Sequence, residues 1–75
     1  MVTADELRTF FARLPSQHFM VSVQDGRLIR FSAFGQGVVS RERLIGRDAD
    51  RRVDFIIPLN QIVRVEPVTH AAESN

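Results

Sequence analysis

Five arginines fall within twelve residues in the middle of the chain: Arg41, Arg43, Arg47, Arg51 and Arg52. The guanidinium group binds phosphate through paired hydrogen bonds, so this density predicts contact with phosphate or nucleic acid. Acids lie among and beside them, at positions 42, 48, 50 and 54. Because binding to a phosphate backbone needs an uncompensated positive field, a solvated and self-neutralised strand and turn is the competing interpretation for a monomer.

Catalysis has little support in the residue types. The histidines are His18 and His70, the serines stand outside a G-x-S-x-G turn, and the phosphate-binding glycine loop is missing. Asp48 and Asp50 form a D-x-D pair that could touch a divalent cation, but the neighbouring arginines favour a solvated charge cluster. The sequence therefore predicts a protein that is not an enzyme, without cofactor or metal.

Size and composition bound the class of protein. With 75 residues and a net charge of +1, the chain fits one small domain, which would gain stability from self-association. Cysteine is missing, which excludes disulfides and thiolate metal sites. No apolar run approaches the roughly 20 residues of a membrane span. Residues 1–15 do not resemble a signal peptide, so we expect no membrane association and a cytoplasmic location.

The elements that position these residues begin with a helix. Thr3 and Glu6 have the spacing of a capping box, in which each side chain bonds the other residue's free backbone N–H. An apolar stripe follows at helical spacing, and Pro15 ends the helix because proline disfavours helix at the preceding residue. A helix of about three turns is unstable alone, so it must pack against the rest of the fold.

A hairpin is predicted next, because apolar residues alternate on both sides of Asp25-Gly26. A two-residue turn would put the apolar residues of the second strand on the wrong face. We therefore expect a three-residue loop, residues 24–26, with Gly26 in the left-handed region. That register places Phe19 against Phe31 and Val21 against Ile29, and register follows the buried face.

Three further strands are predicted: residues 38–46, 53–57 and 62–67. The first has a polar centre that puts Arg41 and Arg43 on one face, and a charged turn, residues 47–52, follows it. Pro58 interrupts the apolar run "FIIPLNQIV", although proline cannot donate to a strand ladder. Pro58 to Gln61 therefore predict a single turn of 3₁₀ helix between the last two strands.

These elements predict a mainly β fold, in which an N-terminal α-helix precedes a five-stranded, strongly bent barrel. One domain covers residues 1–68, and residues 69–75 form a flexible C-terminal tail. The order of elements resembles SH3-like barrels and the Sm-like (LSm/Hfq-like) family. "VSVQDG" resembles the first strand and glycine turn of the Sm-like family, "FSAFGQGVV" the stretch that passes its RNA-binding face, and "IIPLNQIVRVE" its last two strands. The sequence departs from the family at the corner, where residues 58–61 replace an Arg-Gly or Lys-His pair.

The resemblance implies a homo-oligomeric ring of five to seven subunits, joined through strand edges, that binds single-stranded RNA. Phe34 would stack on a base and Gln36 would read its edge, while arginines repeated around the ring would add their charge. The alternatives are that Phe34 is a core residue and that Asn60 only satisfies the local turn. The implied RNA-binding positions are Phe34, Gln36, Arg41, Arg43, Asn60 and Gln61.

Self-association also has support from the residues themselves. The last two strands carry Ile56, Ile57, Val63 and Val65 on both faces, more apolar surface than one small core covers. Exposed strand edges there would template pairing with another chain. The alternative to an RNA-binding ring is thus an SH3-like or Sm-like protein-interaction module without nucleic-acid binding, whose peptide or protein partner adds a strand at an open edge. A monomer whose helix covers the apolar surface is the simplest competing prediction.

Overall fold

A computed structural model describes residues 1–68, and the tail predicted over residues 69–75 lies outside them. One helix and six strands follow in order: α1 (Ala4–Ala12), β1 (His18–Val23), β2 (Leu28–Phe31), β3 (Gly37–Ser40), β4 (Arg43–Asp48), β5 (Val53–Pro58) and β6 (Ile62–Val68). Two 3₁₀ turns, Phe34–Gln36 and Leu59–Gln61, precede β3 and β6. The mainly β character and the N-terminal helix are confirmed.

Helix α1 begins at the predicted capping box. Thr3 Oγ1 accepts a hydrogen bond from Glu6 N at 3.1 Å, and Glu6 Oε1 accepts one from Thr3 N at 3.3 Å. These bonds satisfy two backbone donors that the first helical turn leaves free. Leu7 and Phe11 are buried, so the apolar stripe holds α1 against the strands.

The β1–β2 hairpin has the predicted register. Phe19 pairs with Phe31 and Val21 with Ile29, and the loop closes with a 2.9 Å bond from Val23 N to Arg27 O. Gly26 has φ 97°, a value that glycine adopts without steric cost. The buried face therefore decides the register, as the alternation predicts.

Replacement of Gly26 by valine is expected to lower the free energy of unfolding by more than about 1 kcal/mol, because a β-branched residue is strained at positive φ. The space around Gly26 is open, so strain rather than a clash causes the loss. Thermal unfolding checks the value, and Gly26→Asn should recover part of it since asparagine tolerates left-handed backbone. Equal stability of wild type and Gly26→Val would contradict this loop conformation.

The predicted five strands are wrong, because residues 38–46 form a hairpin instead of one strand. Residues 41 and 42 make the turn between β3 and β4, and Ser40 pairs with Arg43. Arg41 lies in the turn with φ 57°, so it does not share a strand face with Arg43. Pairing Val39 with Leu44 buries both side chains, and that burial favours the hairpin over one extended strand.

The strands form two antiparallel sheets, with orders β2-β1-β6 and β3-β4-β5. Their inner faces meet around an aromatic cluster. The Phe31 ring stacks on Phe19 at 5.0 Å and makes edge contacts with Phe11 at 5.2 Å and Phe55 at 6.0 Å. Phe31 therefore contacts the helix and both sheets, which ties the two sheets and α1 into one core.

Candidate functional site

The outer face of the β3-β4-β5 sheet carries a row of apolar side chains. Val38 pairs with Ile45 across β3 and β4, and Ile45 pairs with Ile56 across β4 and β5. Val38 is 57% exposed and Ile56 is 63% exposed, while Ile45 is half-buried. We call these three residues the outer row. A contiguous apolar row facing solvent is typical of a surface that binds another protein.

Charged and aromatic residues border the outer row. Arg47 and Asp54 face each other across β4 and β5, and Arg47 Nη1 lies 3.1 Å from Asp54 Oδ1. Phe34 lies in the 3₁₀ turn just before β3, and its side chain is 65% exposed. The alternative that Phe34 is a core residue is therefore wrong. Phe34 and Val38 line one shallow hollow beside α1. The surface is thus apolar at its centre and polar at its border, as protein-binding surfaces commonly are.

Within residues 1–68, strand β5 has an open edge, since only β4 pairs with it. Leu59 N donates to Glu42 O at 2.9 Å, which fixes the hydrogen-bonded pairs of the β4–β5 ladder. Because the pairs alternate along an antiparallel ladder, the N–H groups of Phe55 and Ile57 point toward β4. Those of Asp54 and Ile56 point away from it, and β5 is the outermost strand of its sheet.

The open edge explains why Pro58 is tolerated at the end of a strand. Pro58 pairs with Arg43 at a position without hydrogen bonds to β4, so its missing N–H costs nothing in the ladder. The chain then makes the predicted 3₁₀ turn over Leu59–Gln61 and enters β6. That corner is confirmed, and it leaves the C=O of Pro58 on the same open edge as Asp54 and Ile56.

The side chain of Gln36 is held by the backbone of its own chain. Its Oε1 accepts from Ser32 N at 3.0 Å, and its Nε2 donates to Arg30 O at 2.6 Å and to Arg47 O at 3.1 Å. These bonds connect the chain between β2 and β3 to the end of β4. Reading a base edge would require Gln36 to give them up, so its RNA-binding role stays a prediction.

The remaining predicted RNA-binding residues lie near the opposite end of β3. Arg41 lies in the β3–β4 turn and Arg43 follows it, and the Leu59–Glu42 bond holds that turn beside the corner with Asn60. Gln61 O accepts from Gln24 N at 2.8 Å. The four residues of β3 separate Arg41 from Gln36 by five strand rises, roughly 16 Å. The structure therefore divides the predicted residues into two groups at the two ends of one strand.

The charged turn after β4 is organised by Asp48, which is only 3% exposed. Its Oδ1 accepts from the backbone N–H groups of Asp50 and Arg51, and its Oδ2 lies 2.8 Å from Arg51 Nη1. Burial alone would raise the pKa of Asp48, but the hydrogen bonds and charge of Arg51 outweigh it and hold the pKa below its ordinary value. The turn is self-neutralised as predicted, but it is not solvated throughout, because Asp48 is buried in it. Residues 1–68 bring no three potential metal ligands together.

Acidification is expected to destabilise the fold through Asp48. A carboxyl whose pKa is lower in the folded state stabilises the fold above its unfolded pKa, and that stability is lost as the pH falls through the folded value. Stability should therefore decline below about pH 4. Asp48→Asn should cost about 1–2 kcal/mol at pH 7 and flatten that decline, measured by urea unfolding from pH 2 to 7.

Asp25 provides the matched control for this acid loss. A backbone hydrogen bond from Arg27 lowers the pKa of Asp25 in the same direction, but its side chain is half exposed. Asp25→Asn should leave most of the decline in place, since solvent screens an exposed pair. A decline that survives Asp48→Asn and disappears in Asp25→Asn would contradict this assignment.

No family model, curated protein or solved structure matches this chain. The resemblance to Sm-like proteins therefore stays a prediction from the sequence alone. Within residues 1–68, no helix is long and apolar enough to cross a membrane.

Sequence reasoning found part of this surface and missed the rest. The exposed positions of Ile56 and Val63 agree with the apolar excess noted on the last two strands, whereas Ile57 is buried. The single strand predicted over residues 38–46 does not indicate the outer row, because it sets Val38 and Ile45 along one strand instead of opposite each other. The polar stretch between two apolar pairs, Val38-Val39 and Leu44-Ile45, is the signal that marks the turn.

Proposed function

We propose that this chain is a protein-interaction module that binds an extended segment by strand addition at β5. The supporting observation is the combination of an open β5 edge with the exposed outer row beside it. In strand addition the main chain supplies hydrogen bonds, and neighbouring side-chain positions supply specificity. A segment with apolar residues at alternate positions would extend the sheet and cover Ile56 at once.

The charges around the surface support protein over nucleic acid as the ligand. Arg47 is paired with Asp54, Arg51 with Asp48 and Arg27 with Asp25. Phosphate binding needs positive charge that is not already neutralised, and the chain has a net charge of only +1. The outer row also lacks the basic residues that nucleic-acid-binding surfaces concentrate at their centre.

We retain an SH3-like or Sm-like barrel as the proposed fold assignment. The chain passes from β2 to β3 within residues 32–36, and the Phe31 and Phe55 rings meet between the two sheets. A chain that passes from one sheet to the other around a shared core is compatible with a barrel. In such a barrel, the outermost strands β5 and β6 would lie on either side of the corner at Leu59–Gln61.

Selection from a displayed library of random peptides tests the module. We expect enrichment of peptides with apolar residues at alternate positions. Their binding should weaken at least tenfold in Ile56→Lys, because a charge in the outer row opposes burial. Val63→Lys is the matched control, since Val63 is 61% exposed on β6 and outside the outer row. Failure to enrich any peptide, or equal weakening by both substitutions, would contradict the proposal.

An Sm-like ring of five to seven subunits that binds RNA is the second candidate. The observation that favours it is that β5 and β6 are each the outermost strand of a sheet and are joined by one short corner. The β5 edge of one subunit can therefore meet the β6 edge of the next, and a heterologous contact of this kind either closes into a ring or extends into a fibre.

Titration with single-stranded oligo-uridine and oligo-adenosine at low and high salt separates the two candidates. The module predicts no salt-sensitive binding. The ring predicts binding that falls with salt and is lost in the double variant Arg41→Glu with Arg43→Glu. Arg64→Glu is a control outside the predicted RNA-binding residues. Salt-sensitive binding that only the double variant abolishes would favour the ring and contradict the module.

A further inference from the structure

We infer that the partner at the β5 edge is a second copy of this chain, paired antiparallel about a two-fold axis that passes between the two Ile56 residues. This inference rests on the proposed strand-addition function and names its occupant. An isologous contact requires a surface that complements itself, with each residue opposite its symmetry mate or exchanging partners across the axis. The register of β5 that is centred on Ile56 meets this requirement and also joins the outer rows of the two copies.

The backbone groups on the edge fit that register. With Ile56 opposite Ile56 of the second copy, each Ile56 N–H points at the C=O of the other, because both groups lie on the open edge. Asp54 then comes opposite Pro58 of the second copy, and Asp54 N–H donates to the Pro58 C=O. Pro58 has no N–H to offer, so each Asp54–Pro58 pair forms this one bond only, and the Asp54 C=O receives no donor across the edge.

The side chains select the same register. The outer row of each copy, Val38, Ile45 and Ile56, would join end to end into one apolar stripe across a six-stranded sheet. A two-fold centred on Phe55 would instead place Asp54 against Ile56, and one centred on Asp54 would oppose two carboxylates. Both alternatives place a charge where the apolar stripe would otherwise be continuous.

Charge complementarity supports the same arrangement. Arg43 stands beside Pro58 in the β4–β5 ladder. Asp54 of each copy would therefore come opposite Pro58 of the other, with Arg43 one strand beyond and of opposite charge. Arg43 is exposed at the border of the face, two strand spacings or roughly 10 Å from Asp54 of the other copy. Because Asp54 pairs with Arg47 of its own chain, Arg43 adds a longer-range attraction rather than an ion pair, and the two-fold repeats that attraction on both sides of the apolar stripe.

Solution mass is the first part of the test. Light scattering over a range of concentrations should show a dimer, twice the 8.5 kDa of one chain, that dissociates on dilution. Ile56→Lys should raise its dissociation constant at least tenfold because two ammonium groups would meet at the axis, and Val63→Lys should leave it unchanged. A monomer at every concentration would overturn the two-fold pairing without overturning the strand-addition module, which the peptide selection judges separately. A ring of five to seven subunits would also overturn it.

Cross-linking reads the register, because the chain has no native cysteine. Opposed residues in a hydrogen-bonded pair have Cα atoms about 5.5 Å apart, within the range a disulfide spans. Ile56→Cys should therefore oxidise to a covalent dimer. The two Asp54 positions would lie roughly 13 Å apart along the strand, so Asp54→Cys should remain mostly uncross-linked. Equal cross-linking of both variants, or of neither, would overturn this register.

Discussion

Gly46→Ala is expected to lower the free energy of unfolding by about 3 kcal/mol, because the added Cβ has no room. It would lie 2.7 Å from the Gln36 carbonyl oxygen and 3.0 Å from Gly37 Cα, both backbone atoms, and 3.2 Å from Phe55 Cζ. Gly46 pairs with Gly37 on one side and Phe55 on the other. Relief therefore requires β3 and β4 to separate at the point where Gln36 holds them.

Gly35→Ala is the matched control for this prediction. An added Cβ at Gly35 meets nothing within 4 Å, so we expect a change within about 0.5 kcal/mol. Urea unfolding of both variants gives the comparison. A Gly46→Ala variant as stable as Gly35→Ala would show that the two strands do not approach so closely, and would contradict the β3–β4 hairpin.

Phe31→Ala should have a similar or larger effect, about 3–5 kcal/mol, because it leaves a cavity where α1 and both sheets meet. The side chain is fully buried and contacts the rings of Phe11, Phe19 and Phe55. A domain of this length has a total stability of roughly 4–11 kcal/mol. We therefore expect Phe31→Ala to unfold partly or wholly near 37 °C.

Phe34→Ala is the comparison variant for Phe31→Ala, because the two phenylalanines lie close together in sequence just before β3. Phe34 is 65% exposed, so its removal should leave the unfolding temperature nearly unchanged. Thermal unfolding followed by circular dichroism measures both variants. A large loss in Phe34→Ala together with a small loss in Phe31→Ala would mean that the chain turns into β3 with the opposite face inward.

The parts of the fold that short-range patterns specify were predictable. The capping box of α1, the three-residue loop before β2 and the 3₁₀ turn after Pro58 each depend on residues within a few positions of one another. Each has a residue whose backbone preference or hydrogen bond allows few alternatives. Gly26 and Pro58 are of this kind.

The β3–β4 hairpin was not predictable by the same reasoning. Its turn contains Arg41 and Glu42, neither of which is a residue that favours tight turns, and Arg41 adopts the positive φ that glycine or asparagine usually supplies. The pairing of Val39 with Leu44 stabilises the turn from outside it. Tertiary burial thus overrides the local preference, and the turn residues alone do not indicate the hairpin; only the apolar pairs on either side of them do.

The candidate surface was likewise predictable from the sequence only in part. The apolar excess on the last two strands indicated an interaction surface, because that much apolar surface exceeds what one core covers. Which residues form it depends on register, since only the pairing of Val38 with Ile45 and Ile56 makes them neighbours. The open edge likewise depends on which strand is outermost in its sheet.

The role of Gln36 depends on contacts that its neighbours in sequence do not reveal. Its amide bonds to Arg30 and Arg47 come from elements on either side of it, at separations of 6 and 11 residues. A glutamine between two glycines gives no pattern that distinguishes such a clamp from a ligand-binding side chain. The sequence therefore left Gln36 as a base-reading residue by resemblance alone.

Amide hydrogen exchange resolved along β5 tests most directly whether its edge is open and binds a strand. In dilute protein, the N–H groups of Phe55 and Ile57 should exchange slowly, and those of Asp54 and Ile56 should exchange rapidly. Addition of a selected peptide, or concentration of the chain itself, should slow exchange at Asp54 and Ile56 at least tenfold. Slow exchange of these two amides in the dilute protein would contradict an open β5 edge. Rapid exchange that neither the peptide nor a higher protein concentration slows would contradict strand binding there.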